Sequence, residues 1–199
     1  DPNLNYTDKD RDLTRAYCLL CHAEIESYLE DIIWQVTTSA FQRWEANKEI
    51  ISPIIFHLAY NYKHETGKPR ELPYSMVVKS YNNLGTQIKK NNGIKEDNLN
   101  SILRPIGFEI DPTLRTTLND FGKTRGQIAH TSFQTQQPLD PATEKANILQ
   151  ILSALQQFDT DLTNYEQTGT LNRTPVNMRW QKFSFWKKAK RFFHRIFFF

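Results

Sequence analysis

The chain has 199 residues, 39% of them hydrophobic and 24% charged, and its net charge is +3. This size and composition predict a soluble globular domain with its own core and exclude a fibre or a disordered chain. No apolar run approaches the roughly 20 residues of a membrane-spanning helix. Cys18 and Cys21 are the only cysteines, so a zinc site built from two Cys-x-x-Cys pairs is excluded and a reducing, cytoplasmic compartment is expected.

The positive charge is concentrated at one end of the chain. Residues 179–199 contain seven Lys or Arg and no Asp or Glu, so a net charge of +3 for the whole chain leaves −4 for residues 1–178. A mildly acidic body excludes a uniformly basic surface of the kind that coats nucleic acid.

Helical spacing of apolar residues, together with signals for helix ends, predicts an all-α fold. Thr7 is a plausible cap for a first long helix, and the pairs Asp111-Pro112 and Asp140-Pro141 place a capping residue before a proline at two later helix starts. The segments with helical character are 8–47, 53–64, 74–91, a short piece at 99–103, 112–132 and 141–166. We therefore predict a bundle of about five helices with a basic amphipathic C-terminal helix.

Three polar residues of the first helix, Arg15, His22 and Glu26, fall on its apolar face within about 40° on a helical wheel. Inward-facing charged groups are costly unless they are paired or used. One interpretation is a satisfied core network in which Glu26 bridges Arg15 or His22, and the other is a functional site. His22, Glu26 and His130 could also bind a divalent metal, although core polar pairs at this spacing are far commoner.

The predicted helix that follows Pro112 contains two glycines, Gly122 and Gly126, which each cost roughly 1 kcal/mol relative to Ala. Their spacing of four predicts a groove that lets a second helix approach closely. His130 lies four residues further on the same side, and the long side chain of Arg125 can reach toward it. A histidine near a helix C-terminus is favoured as imidazolium.

The segment Arg125-Gly-Gln-Ile-Ala-His130 resembles the R-x4–6-H signature of the HEPN superfamily, the small helical bundles of prokaryotic defence and toxin systems. The segment from Arg15 to Glu30 is similar to the first helix of the subgroup labelled RiboL-PSP-HEPN. The resemblance spans about residues 8–166. It implies a bundle that dimerises through the signature helix, so that Arg125 and His130 of two chains meet in one cleft, with Glu26, His22 and Arg15 in support.

Competent members of this superfamily cut RNA without a metal or other cofactor, with histidine as acid or base and arginine on the scissile phosphate. The resemblance therefore implies an endoribonuclease of a toxin–antitoxin or antiphage system, with RNA as substrate and a second copy, an antitoxin or a defence-complex protein as partner. Gly126 stands where active members commonly have a polar residue, and Ser132 stands where a subset has a modified tyrosine. The alternative is a non-catalytic HEPN module that binds a nucleotide or a protein as a scaffold or regulator.

The sequence predicts three parts: the bundle, 1–167, a linker, 168–179, and a basic aromatic tail, 180–199. On a helical wheel the tail sets an aromatic arc opposite basic residues that include Lys187, Lys188, Lys190, Arg191 and Arg195. Such a helix suits packing on the bundle or a partner, an anionic membrane surface, or single-stranded RNA. We expect a cytoplasmic protein that this tail can hold at the inner membrane face.

Overall fold

A computed structural model describes residues 6–47, 52–62, 72–130 and 139–168, and every regular element in them is helical. The predicted all-α bundle is thus confirmed. The described part contains six α-helices because the short piece around Leu99 forms a two-turn helix of its own. The elements are α1 Asp8–Asn47, α2 Pro53–Tyr60, α3 Pro73–Lys90, α4 Glu96–Leu103 with a 3₁₀ turn at Arg104–Ile106, α5 Pro112–His130 and α6 Pro141–Thr168.

The helix starts follow the capping signals in the sequence. Before α1, the Thr7 hydroxyl accepts a hydrogen bond from the Asp10 N–H at 3.2 Å, and the Asp10 carboxylate accepts one from the Thr7 N–H at 2.9 Å. Asp111 and Asp140 accept backbone N–H groups of the first turns of α5 and α6 at 2.9–3.0 Å. These bonds satisfy donors that have no partner inside the helix.

One helix is shorter than its sequence pattern. The pattern predicts a helix to His64, but α2 ends at Tyr60. The Asn61 amide side chain donates to the carbonyl oxygens of Arg104 and Pro105 at 3.2 and 3.4 Å, which ties the end of α2 to the 3₁₀ turn. A local sequence pattern cannot predict a hydrogen bond to residues more than 40 positions away.

The long helix α1 is the centre of the bundle and packs against α2, α3, α5 and α6. Its side chains Ile25, Leu29 and Ile33 are at most 1% exposed. The α1–α6 contact is unusual because it buries three carboxylates of α6. Their partners on α1 follow the same order along the chain, so the two helices run parallel: Cys18 with Glu144, Tyr28 with Asp159, and Arg43 with Glu166.

Burial raises the pKa of all three carboxyl groups of α6, and the bond from the partner on α1 opposes that shift in each case. The Cys18 thiol donates to Glu144 Oε2 at 3.6 Å. A buried thiol whose pKa is raised is not a reactive nucleophile.

The predicted linker and tail, 168–179 and 180–199, lie outside the described residues, apart from Thr168 at the end of α6. The predicted extension of α5 to Ser132 lies outside them as well. In the ranges that are described, no helix combines the length and apolar character needed to cross a membrane.

Candidate functional site

Three elements meet at His22: α1, α5 and the segment 91–95 that connects α3 to α4. The His22 side chain is 4% exposed, and its Nδ1 lies 3.5 Å from Glu26 Oε2, one turn further along α1. The ring of Phe121 on α5 lies against it, with 6.1 Å between ring centroids. We call His22, Glu26, Lys95 and Arg125 the His22 site.

The His22 imidazole is held neutral. Burial, together with the positive charges of Arg125 and Lys95, lowers its pKa to about 4. At neutral pH the contact between His22 and Glu26 is therefore a polar contact of a neutral ring and not an ion pair. A neutral ring with this pKa does not serve as a proton donor at pH 7.

Glu26 links α1 to the connecting segment. Its carboxylate accepts a hydrogen bond from the Gly93 N–H and feels the positive charge of Arg125. Burial raises the pKa of Glu26, and these two interactions oppose the rise. The carboxylate thus has a hydrogen-bond donor and the charge of a cation, and both favour its charged form.

The connecting segment is anchored to α1 at two points. Besides the bond between Gly93 and Glu26, the Asn91 amide donates to Glu30 Oε1 at 2.8 Å. Gly93 has a φ of 131°, and a Cβ at this position would lie 2.7 Å from Asn98 Nδ2, so the turn requires glycine. The next residue, Ile94, is fully buried.

The glycines of α5 accommodate this segment. A Cβ at Gly122 would lie 2.9 Å from Lys95 Cγ and 3.6 Å from Ile94 Cγ1, and a Cβ at Gly126 would lie 3.8 Å from Lys95 Nζ. The groove predicted at Gly122 and Gly126 exists, and within one chain the group that occupies it is the Lys95 side chain and not a helix. A contact between two copies at this groove stays a prediction.

The two signature residues lie on the second half of α5. Arg125 is half-buried, and its positive charge lowers the pKa of both His22 and Glu26. His130 is the last residue of α5, five residues or about 7.5 Å further along the axis. The His130 side chain lies outside the described part of the structure, as does everything from 131 to 138.

Comparison with protein families finds a match between residues 1–164 and the family described as RiboL-PSP-HEPN. The chain belongs to this HEPN family. The match covers all six helices except the end of α6, and it includes the signature segment Arg125–His130. Comparisons with curated proteins and with solved structures find no match.

One predicted supporting residue of this HEPN chain lies away from the His22 site. Arg15 pairs with Asp12, with Nη1 2.7 Å from Oδ1. Eleven residues separate Arg15 from Glu26, which is about 16 Å along a helix. A wheel projects all turns onto one circle, so it superimposes residues that are far apart along the axis. Glu26 contacts His22, the other partner that the sequence suggested.

A metal site receives no support from the described residues, among which no group of three or more His, Cys, Asp or Glu could hold an ion. His22 and Glu26, two of the three candidate ligands, do lie in contact. The third candidate is His130, whose side chain is not described.

Sequence reasoning missed Lys95 entirely. It lies before α4 and about 30 residues from Arg125, and no pattern in the chain pairs the two. The one available signal was the glycine pair, which indicated that something approaches α5 at this point without indicating what.

Proposed function

We propose that this HEPN protein is a metal-independent endoribonuclease of a toxin–antitoxin or antiphage defence system. One observation carries the proposal: Arg125 of the signature segment is half-buried, its positive charge lowers the pKa of both His22 and Glu26, and it forms no ion pair in the described part of the chain. Arg side chains that are partly desolvated and lack a carboxylate partner suit an incoming phosphate.

The proposed reaction needs one base, one acid and one fixed positive charge. His130 of one chain removes the proton from the RNA 2′-hydroxyl, and the 2′-oxygen attacks the adjacent phosphorus. The bond from phosphorus to the 5′-oxygen breaks, and this oxygen takes a proton from the second histidine. Arg125 binds the non-bridging phosphate oxygens as negative charge builds up on them. The products carry a 2′,3′-cyclic phosphate and a 5′-hydroxyl.

The acid and the base must be two different groups, and one signature segment supplies one histidine. His22 does not fill the second place, because it is buried and its pKa of about 4 leaves it neutral. We therefore propose a homodimer in which the C-terminal halves of two α5 helices supply both histidines to one cleft.

A second candidate function follows from Gly126, which stands directly after Arg125 where active relatives commonly carry a polar residue. A chain that binds RNA or a nucleotide through Arg125 without cutting it would be a non-catalytic HEPN module, acting as a scaffold or regulator of a defence complex. An antitoxin or another defence protein is the proposed partner in either case.

The test is incubation of purified protein with single-stranded RNA, with and without EDTA. We expect cleavage that EDTA does not inhibit and products with 2′,3′-cyclic phosphate ends. Arg125→Ala and His130→Ala should each abolish cleavage and keep the helical content. Lys123→Ala is the matched control, because Lys123 is exposed on α5 and, among the residues that the structure describes, pairs only with Asp120, at 3.0 Å.

Cleavage that survives His130→Ala would contradict the assignment. Cleavage that is lost only with EDTA would favour the metal site. RNA binding without cleavage by the wild-type protein would favour the non-catalytic module.

A further inference from the structure

Two positive side chains of the His22 site have no acidic partner of their own. In the described part of the chain, neither Lys95 nor Arg125 forms an ion pair, and Glu26 acts on Arg125 only through its charge. Both cations lower the pKa of His22, so the charges of both act on the same buried ring. Two positive charges against the single carboxylate of Glu26 leave a net positive local potential that attracts an anion.

The position of the Lys95 ammonium depends on α5. The Lys95 stem crosses Gly122, where any side chain would meet Lys95 Cγ at 2.9 Å, and its Nζ ends above Gly126. Gly126 directly follows Arg125 in sequence, so the ammonium ends beside the helix turn that carries the signature arginine. A bulky side chain at either glycine would force the ammonium away from this turn.

The backbone of Lys95 is fixed on its other side by α1. The preceding Ile94 is fully buried, and Gly93 donates to Glu26, which also contacts His22. Lys95 itself is exposed, so its ammonium remains open to a ligand. An anchored backbone with an accessible charge loses less conformational entropy on binding than a lysine on a free loop.

We propose that Lys95 is a second phosphate-binding residue that acts on the RNA backbone together with Arg125. This inference rests on the proposed function. The planar fork of Arg125 suits two oxygens of one phosphate, whereas the Lys95 ammonium is a point charge that needs no fixed geometry. In this arrangement Gly122 is a glycine because the Lys95 stem must cross it.

The test measures binding apart from cleavage. A short fluorescent 2′-fluoro oligonucleotide lacks the attacking 2′-hydroxyl, and its affinity for the protein is measured by anisotropy over a range of salt concentrations. We expect Lys95→Met to weaken binding about tenfold, the lower end for a hydrogen bond to a charged group. The slope of log affinity against log salt should fall by about 0.7, the value for one lost contact on a single strand. Lys95→Arg should keep both, and Lys123→Met is the matched control.

A double-mutant cycle separates the placement of Lys95 from general damage to α5. Gly122→Ala displaces the Lys95 stem and should weaken oligonucleotide binding in the wild-type background. In the Lys95→Met background the same change should have no further effect on binding, since there is no ammonium left to misplace. Effects that simply add would contradict the role assigned to Gly122.

The outcomes distinguish this inference from the proposed function. If the wild-type protein cuts RNA and Lys95→Met binds the oligonucleotide with unchanged affinity and salt slope, the inference about Lys95 is wrong and the nuclease proposal stands. If the wild-type protein neither binds nor cuts RNA, both are wrong. If Lys95→Met and Lys123→Met weaken binding equally, the effect is one of net charge and Lys95 has no specific role.

Discussion

Acidification should lower the free energy of unfolding because His22 is buried as a neutral ring. In the folded protein the pKa of His22 falls from its ordinary value of 6.5 to about 4. Between these values the unfolded chain binds a proton that the folded chain does not. The free energy of unfolding therefore falls as the pH falls from 6.5 to 4, and this contribution is fully present only above pH 6.5.

The size of the effect follows from the two pKa values. At about 1.4 kcal/mol per pH unit, the difference between 6.5 and about 4 corresponds to about 3 kcal/mol. His22 is only 4% exposed, so solvent screens this contribution little. The groups that face His22 are Glu26, Arg125 and Lys95. Glu26 and the three buried carboxyls of α6 have raised pKa values and act in the opposite direction, gaining stability at low pH.

A comparison with His22→Gln isolates the histidine, because the carboxyl groups are present in both proteins. Urea denaturation of the two proteins from pH 7.5 to 4 should give a stability difference that changes by about 3 kcal/mol in the direction that disfavours the wild type. Titration of the His22 ring by NMR gives the pKa directly. A midpoint near 6.5, or stability curves that stay parallel, would refute the argument that burial and the two cations hold His22 neutral.

Three further predictions concern the charge of Glu26, assembly and the tail. Glu26→Gln keeps an acceptor for the Gly93 N–H but removes the negative charge that helps to position Arg125. Cleavage should therefore fall about tenfold, while stability falls by about 1 kcal/mol, or roughly 2–4 °C in Tm. A large fall in Tm with normal turnover would make Glu26 a structural residue. Gly126→Leu should block the close approach of a second α5 and give monomers by light scattering, and a dimer that persists would place the interface elsewhere. Deletion of 180–199 should lower Tm or solubility, because we expect the tail to pack on the bundle or its dimer mate; salt-sensitive binding of the full-length protein to anionic liposomes would instead indicate a membrane helix.

Local signals in the sequence predicted most of the helices. The Asp-Pro pairs and Thr7 mark helix starts because a cap bonds to N–H groups within the same turn, so the whole signal lies within a few residues. The end of α2 could not be predicted in this way, since Asn61 bonds to carbonyl groups more than 40 residues away.

The candidate site was predicted in part, for a similar reason. His22 and Glu26 are one turn apart on α1, so their contact follows from helix geometry alone. Arg15 lies at the same angle around α1 as these two residues but at a different position along the helix axis. Lys95 reaches the site only because the bundle folds α4 onto α5. The buried acids of α6 did carry a signal that was missed. Glu144, Asp159 and Glu166 fall on the same helical stripe as the apolar Ile148, Leu155 and Leu162, which is the pattern that revealed the polar residues of α1.

The parallel packing of α6 on α1 has a consequence for the register of the whole bundle. A shift of α6 by one helical turn, about 5.4 Å, would separate all three of its carboxylates from their partners at the same time and leave them in apolar surroundings. Apolar side chains alone tolerate such a slide far better, because one leucine replaces another. The acids contribute little net stability, since burial raises their pKa values, but they leave α1 and α6 with a single alignment.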